Sequence, residues 1–339
     1  MSIVTTINCT TAKEFLNLLT PWNTDYNLTN YVFRGHIDED FLLHPNIMRK
    51  INNPELLKLA RIIVVKGKYQ NAIKSIGATN IKDFHSSIEL GILRHFYRTA
   101  NENGLWVPSS RLMSSQMATG SYVNFNTIMK TFDFNNWLNE DSIEIAALAQ
   151  HYGLPTRLID WSYSQHIASF FATNFMIKPD KNKKISVWML NYKKLAGLFS
   201  SPLSDVKIFS PHYQWNDNAK SQNGLFTYIE SKHDTKEKSL RTEFQDDFIA
   251  NGVVSSDPKF DVVKTDYRTF DVALNDAITQ YNAKKQIEID TKDVLIKVTL
   301  PCPEALKVNI HLRNIRISEA TIFPGYAGIV ENLRATLRF

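Results

Sequence analysis

The chain has 339 residues, of which 43% are hydrophobic, 12% aromatic and 22% charged. This is globular composition with material for a sizeable core, and it excludes a disordered or fibrous chain. The formal net charge of +5 is mildly basic, compatible with a nucleic-acid or nucleotide partner and equally with lysines that only keep the surface soluble.

Cys9 and Cys302 match no metal spacing, and such sparse use of cysteine fits a reducing cytoplasm. The first residues lack a basic region followed by an apolar run, so no signal peptide is expected. No window approaches the roughly 18 apolar residues of a membrane span. Internal repeats and low-complexity tracts are absent from the sequence.

In chain order, the first predicted element is a short helix in TTAKEFLNLLTPW. Thr11 caps it, and Phe15, Leu16, Leu18 and Leu19 form its apolar face. NYVFRGH, residues 30–36, predicts a strand ending at Gly35, in which Tyr31 and Phe33 alternate with Val32 and Arg34. Pro45 stops regular structure in the loop FLLHPNIMRK. Residues 53–150 are predicted mostly helical. The i, i+3, i+4 apolar spacing runs through PELLKLARIIVVKGKYQNAI, SSIELGILRHFYRTANENG and NFNTIMKTFDFNNWLNEDSIEIAALAQHYG. KISVWMLNY (184–192), GLFTYIES (224–231) and DVLIKVTLP (293–301) are predicted strands, and GIVENLRATLRF is a predicted helix. Helices in the first half and strands in the second indicate an α+β fold. The expected organisation is one domain, residues 1–339, with a helical insertion at about 53–150. KPDKNKK (178–184) and SKHDTKEKS (231–239) are charged loops within it, the second placed to act as a flap over a site.

One stretch is unlike a core helix. AQHYGLPTRLIDWSYSQHIASFFA, residues 149–172, holds His151, Arg157, Asp160, Trp161 and Ser162 within twelve positions. Gly153 is placed to end a helix in the left-handed conformation, and Pro155 biases Leu154 toward extended backbone. Ser162 is placed as the N-cap of a second helix, SQHIASFFATNF, with Ile167, Phe170, Phe171 and Phe175 toward a core. A helix start offers free N–H groups and a positive dipole end to an anion or nucleotide. The plain structural alternative is that Arg157 and Asp160 form a salt bridge and Ser162 is only a cap.

These residues resemble a known family. FRG at 33–35, followed by Leu43, Pro45 and Arg49, looks like the opening of the FRG domain, named for that tripeptide. AQHYGLPTRLIDWS, with Ala168, Phe171 and Ala172 after it, resembles the family's central signature. SQNGLFT and ATIFPGYAGIVENLR are similar to its two later segments, so the resemblance covers about residues 8–334. It implies a fold like that of the ADP-ribosyltransferases, which bind NAD in a split sheet through three short motifs. Phe33, Arg34 and Gly35 would supply the first motif, with Arg34 on the pyrophosphate. Trp161 and Ser162 would supply the second, the indole stacking on nicotinamide. Gln222 aligns best with the third, and Glu230 and Glu243 are rivals; Glu243 is the better general base, because Gln222 takes no proton. An Arg that many members carry a few residues before this Gln is replaced here by Lys220.

The resemblance implies catalytic roles for Arg34, Ser162, Gln222 and Glu243, and NAD binding by Phe33, Arg34, Gly35, His151, Tyr152, Arg157, Asp160, Trp161 and Ser162. It also implies an NAD-consuming toxin of toxin–antitoxin or anti-phage type. The acceptor would be nucleic acid, RNA favoured over DNA, and a cognate antitoxin a natural partner. Two other classes stay open. One is a sensor that binds a nucleotide without turnover. The other is a metal-free nucleic-acid enzyme using His151, Arg157 and Asp160.

Overall fold

In the computed structural model the first helix begins where its sequence places it. Glu14 N–H donates to Thr11 Oγ1 at 3.2 Å, and the Glu14 carboxylate accepts from the Thr11 N–H, a reciprocal capping box. The structure describes residues 3–23, 25–49, 54, 56, 58, 85–117, 136–174, 180–232, 265–285 and 288–337. Most of PELLKLARIIVVKGKYQNAI, NFNTIMKTFDF, the 231–239 loop beyond Lys232, Phe175 and Glu243 lie outside the described residues.

In chain order the elements begin β1 (Val4–Asn8), α1 (Ala12–Leu18), β2 (Tyr31–His36), α2 (His85–Glu102), α3 (Arg111–Met117), β3 (Asn136–Trp137), α4 (Glu140–His151) and β4 (Ile159–Ser162). There follow α5 (Gln165–Thr173), β5 (Lys184–Asn191), β6 (Val206–Phe209), α6 (Asp217–Ser221), β7 (Gly224–Ile229) and β8 (Ser231–Lys232). The last are α7 (Phe270–Lys285), β9 (Leu295–Pro301), α8 (Cys302–Asn314) and α9 (Tyr326–Thr336). No helix among the described residues is long and apolar enough to cross a membrane.

The chain divides into two compact units. The first comprises Met1–Leu43, Ile159–Tyr228 and Arg268–Phe339; the second comprises His44–Leu158 and Ile229–Tyr267. The first unit contains a seven-stranded mixed sheet, ordered β1-β9-β5-β2-β4-β7-β6, so the fold is α+β. β1 runs parallel to β9, and β9, β5, β2, β4 and β7 are antiparallel in succession. The predicted strands NYVFRGH and GLFTYIES thus reach one sheet, with β4 between them. β5 is buried from Ile185 to Leu190, as its apolar run VWML implies for a central strand.

One face of this sheet is closed by α1, α5 and α8. Phe15, Phe33, Ile167, Phe170, Met189, Val298 and Leu312 form a continuous core there, each at most 6% exposed. Burying one such side chain contributes about 1.5–3 kcal/mol. Gly35 sets how closely α5 can approach. A Cβ built on it would lie 2.0 Å from the Ala168 carbonyl oxygen and 2.6 Å from the Ala172 nitrogen. The glycine of FRG and the two alanines of the central signature are therefore two sides of one helix–strand contact.

The second unit holds α2, α3, α4 and the two-stranded ribbon β3–β8. Gly153, at φ 95°, ends α4 as expected. Its N–H donates to Gln150 O at 2.9 Å and that of Leu154 to Ala149 O at 3.1 Å, the paired bonds of a Schellman motif.

Candidate functional site

The seven-stranded sheet is nearly divided in the middle. β2 pairs with β5 over all six residues Tyr31–His36, and β4 pairs with β7 over all four residues Ile159–Ser162. Between β2 and β4 the only registered pair is Phe33↔Ser162. Beyond that pair no further β2–β4 register is made, and the Arg34 side chain bridges the two strands through Asp160.

The Arg34 Nη1 donates to the Asp160 backbone oxygen at 2.7 Å and to its carboxylate at 3.2 Å. Its Nε donates to His36 Nε2 at 2.9 Å. A guanidinium only donates, so His36 Nε2 must be the acceptor and His36 is held as the neutral ring. Nδ1, 3.2 Å from Phe41 O, then carries the proton and donates there. Three N–H groups thus fix the fork, and Nη2 makes no hydrogen bond to the described residues. The Arg34 side chain keeps 11% exposure and Asp160 keeps 40%, so a donor edge and a carboxylate face solvent together.

Ser162 sits at the end of β4, not at the head of α5. Its hydroxyl donates to Gln222 O at 2.7 Å and accepts from the Ser164 N–H at 3.0 Å. The N-cap of α5 is Ser164, whose hydroxyl accepts from the Ile167 N–H at 3.4 Å. The sequence expectation is corrected by two residues because β4 continues through Ser162 to pair with Gly224. Gln222 caps α6 and precedes Asn223, whose φ of 44° turns the chain into β7. Ser162 therefore ties the end of β4 to the turn that carries Gln222.

Trp161 points into the core. It is 2% exposed, its Nε1–H donates to Thr227 Oγ1 at 2.8 Å, and its ring lies 5.9 Å from that of Phe270. The surface that stacking on nicotinamide needs is covered in this arrangement.

The boundary between the units falls inside the central signature, between Leu158 and Ile159. His151, Tyr152 and Arg157 belong to the second unit; Phe33, Arg34, Gly35, Asp160, Trp161, Ser162 and Gln222 belong to the first. Tyr152 is 61% exposed, and His151 is the last residue of α4. The expected Arg157–Asp160 pair is a correction: Asp160 receives Arg34, and Arg157 pairs with Glu89 of α2. Arg157 donates Nε to Glu89 Oε2 at 2.6 Å and its backbone N–H to Oε1 at 2.8 Å. Ser231, Ser86 and the Trp137 carbonyl accept its remaining N–H groups. At 1% exposure beside a fully buried Glu89, Arg157 is a core residue of the second unit. The sequence reading missed Glu89, because a Glu within a helical run carries no local mark of burial. It also left His36 without a role, although two positions after Arg34 on one strand is the spacing that puts both on one face.

The class these features define is an α+β protein whose sheet opens at an arginine–aspartate couple. Residues 29–181 match the family model of the FRG domain, so the chain carries an FRG domain over that span. The match includes the FRG tripeptide and the whole central signature but ends before SQNGLFT and ATIFPGYAGIV. No curated protein and no solved structure matches the chain.

Proposed function

We propose that the protein is an NAD-dependent ADP-ribosyltransferase with a nucleic-acid acceptor, RNA favoured over DNA, acting as a toxin restrained by a cognate antitoxin. The observation that carries this reading is the opening between β2 and β4 with the Arg34–Asp160 couple set in it, inside the span of the FRG domain. In the transferases that the sequence resembles, NAD sits where a sheet splits.

The couple offers the two N–H groups of Nη2 beside a carboxylate. Asp160 already balances the Arg34 charge, which leaves less attraction for a pyrophosphate. Paired donors and an acceptor suit the neighbouring hydroxyls of a ribose, which both accept and donate. Holding those hydroxyls orients the sugar as its C1′ gains oxocarbenium character. The C1′–N bond breaks with its electron pair passing to nicotinamide. The acceptor's nucleophile forms the new bond at C1′ and gives up its proton to water. Ser162 acts on this site through the Gln222 turn, not by direct contact, since its hydroxyl is already donor and acceptor.

That same commitment favours a second reading, a nucleotide sensor without turnover. Ser162 is engaged, Gln222 takes no proton, and Asp160 is paired with Arg34. Incubation of the full chain with NAD separates the two. Released nicotinamide, and labelled ADP-ribose on RNA, DNA or protein, is the transferase outcome. Saturable binding with no release overturns it in favour of the sensor.

A further inference from the structure

A cavity of about 400 Å³ lies in the first unit at the other end of the β2–β4 joint. It is lined by Asn23, Tyr26, Asn27 and Thr29 before β2 and by Tyr163 and Gln165 after β4. Its volume falls within the roughly 300–1,000 Å³ of small-ligand sites. Among the described residues two tyrosine rings and three side-chain amides line one space, and none of these carries a charge. Tyr163 is 42% exposed and braced edge-on by Tyr192, with ring centroids 5.8 Å apart at 74°. Trp22, beside the lining residues Pro21 and Asn23, is 82% exposed. Such a surface suits a planar, neutral ring with donors and acceptors on its edge. Tyrosine faces stack on it and the Gln165 amide pairs with the edge, while Asn23 and Asn27 are held by hydrogen bonds to Asn17, Asp25 and Thr29 that shape the loop.

The placement points to the acceptor. Arg34 lies three positions along β2 from its first residue, Tyr31, or about 10 Å at roughly 3.3 Å per residue. Ser162, at the single β2–β4 pair, lies between the couple and the cavity. We propose that this cavity binds an unpaired nucleobase of a single-stranded nucleic acid, presenting the acceptor to the sugar held at Arg34–Asp160. The binding claim stands on the cavity, and the acceptor role rests on the transferase reading.

The test measures anisotropy of fluorescein-labelled ten-nucleotide RNA and DNA homopolymers with the full chain. NAD binding and nicotinamide release are followed separately in the same preparations. Wild-type protein is expected to bind single strands and not the matching duplex. Tyr163→Leu and Tyr26→Leu should each weaken binding roughly 5- to 150-fold, the loss of one base–aromatic stack, while Tyr163→Phe retains it. Nicotinamide release without nucleic acid should be unchanged in all three. Wild-type affinity in both leucine variants, with melting temperatures unchanged, overturns the proposal. So does a failure of wild-type protein to bind any single strand. Loss of NAD binding in the leucine variants with oligonucleotide binding intact assigns the cavity to a base of the dinucleotide and overturns it too. If no nicotinamide is released but oligonucleotide binding follows the tyrosines, the transferase reading fails and the base site stands.

Discussion

Arg34 and Asp160, 126 positions apart in the chain, are joined by two contacts from one guanidinium nitrogen, at 2.7 Å to the backbone oxygen and 3.2 Å to the carboxylate. The guanidinium occupies the place where strand pairing between β2 and β4 lapses. A hydrogen bond to a charged group contributes roughly 1.5–3 kcal/mol, so Arg34→Ala should weaken NAD binding about 10- to 150-fold. Arg34→Lys should recover only part, because it keeps the charge and loses the fork. The melting temperature should fall slightly, since the Asp160 carboxylate stays hydrated while the buried His36 ring and the Asp160 backbone oxygen each lose a donor. Titration calorimetry with NAD checks this, and wild-type affinity in Arg34→Ala would remove NAD from the FRG strand.

Gly35→Ala should destabilise the first unit by at least about 1–3 kcal/mol, the usual range for overpacking. The added methyl meets the Ala168 carbonyl and the Ala172 nitrogen, which are helix backbone and cannot rotate away. Because Arg34 is the next residue, α5 displaced from β2 should also lower NAD affinity. Denaturant unfolding of the variant tests the first part; an unchanged midpoint would show that the contact is loose.

In the second unit, Glu89→Gln should cost about 3–5 kcal/mol, because it leaves the buried Arg157 charge without its counter-ion. The paired change Glu89→Leu with Arg157→Met should cost much less, as both charges go. Hydrogen exchange in α2 and α4 reads this unit directly. Equal protection in Glu89→Gln and wild type would contradict a structural role for the pair.

Stability should fall as pH drops from neutral into the range below about 6.5, the ordinary histidine value. Burial, and then the nearby His311, hold the His166 pKa below that value in the folded protein. The unfolded chain therefore takes up the proton first, and stability rises with pH through this window, being fully present above about 6.5. His166→Asn should reduce the fall in melting temperature between pH 7 and pH 5. Burial raises the Asp38 pKa, but hydrogen bonds led by Lys183 hold it low on balance, and Lys307 holds Glu304 low; both act only below the ordinary carboxylate range, so the two effects separate.

The residue pattern alone specifies the elements whose signals are local. Thr11 and Glu14 made their capping box, Gly153 took the left-handed turn, and the apolar runs of β5 and β9 became central strands. Weak local patterns escaped it. β1, VTTIN, is an edge strand with polar alternation, and its parallel partner β9 lies nearly three hundred positions away. The FRG tripeptide and the central signature were legible as a family likeness, and the match over 29–181 supports that likeness. What each residue in them holds was decided only by the tertiary structure. Arg157 and Asp160 stand three apart and look like a pair, yet each finds a partner 68 or 126 positions away. Charge pairing depends on burial and direction in space, and adjacent strand residues face opposite ways. Along this signature the side chains therefore separate into a core ion pair in the second unit, and a buried indole and a half-buried carboxylate joined to Arg34 in the first.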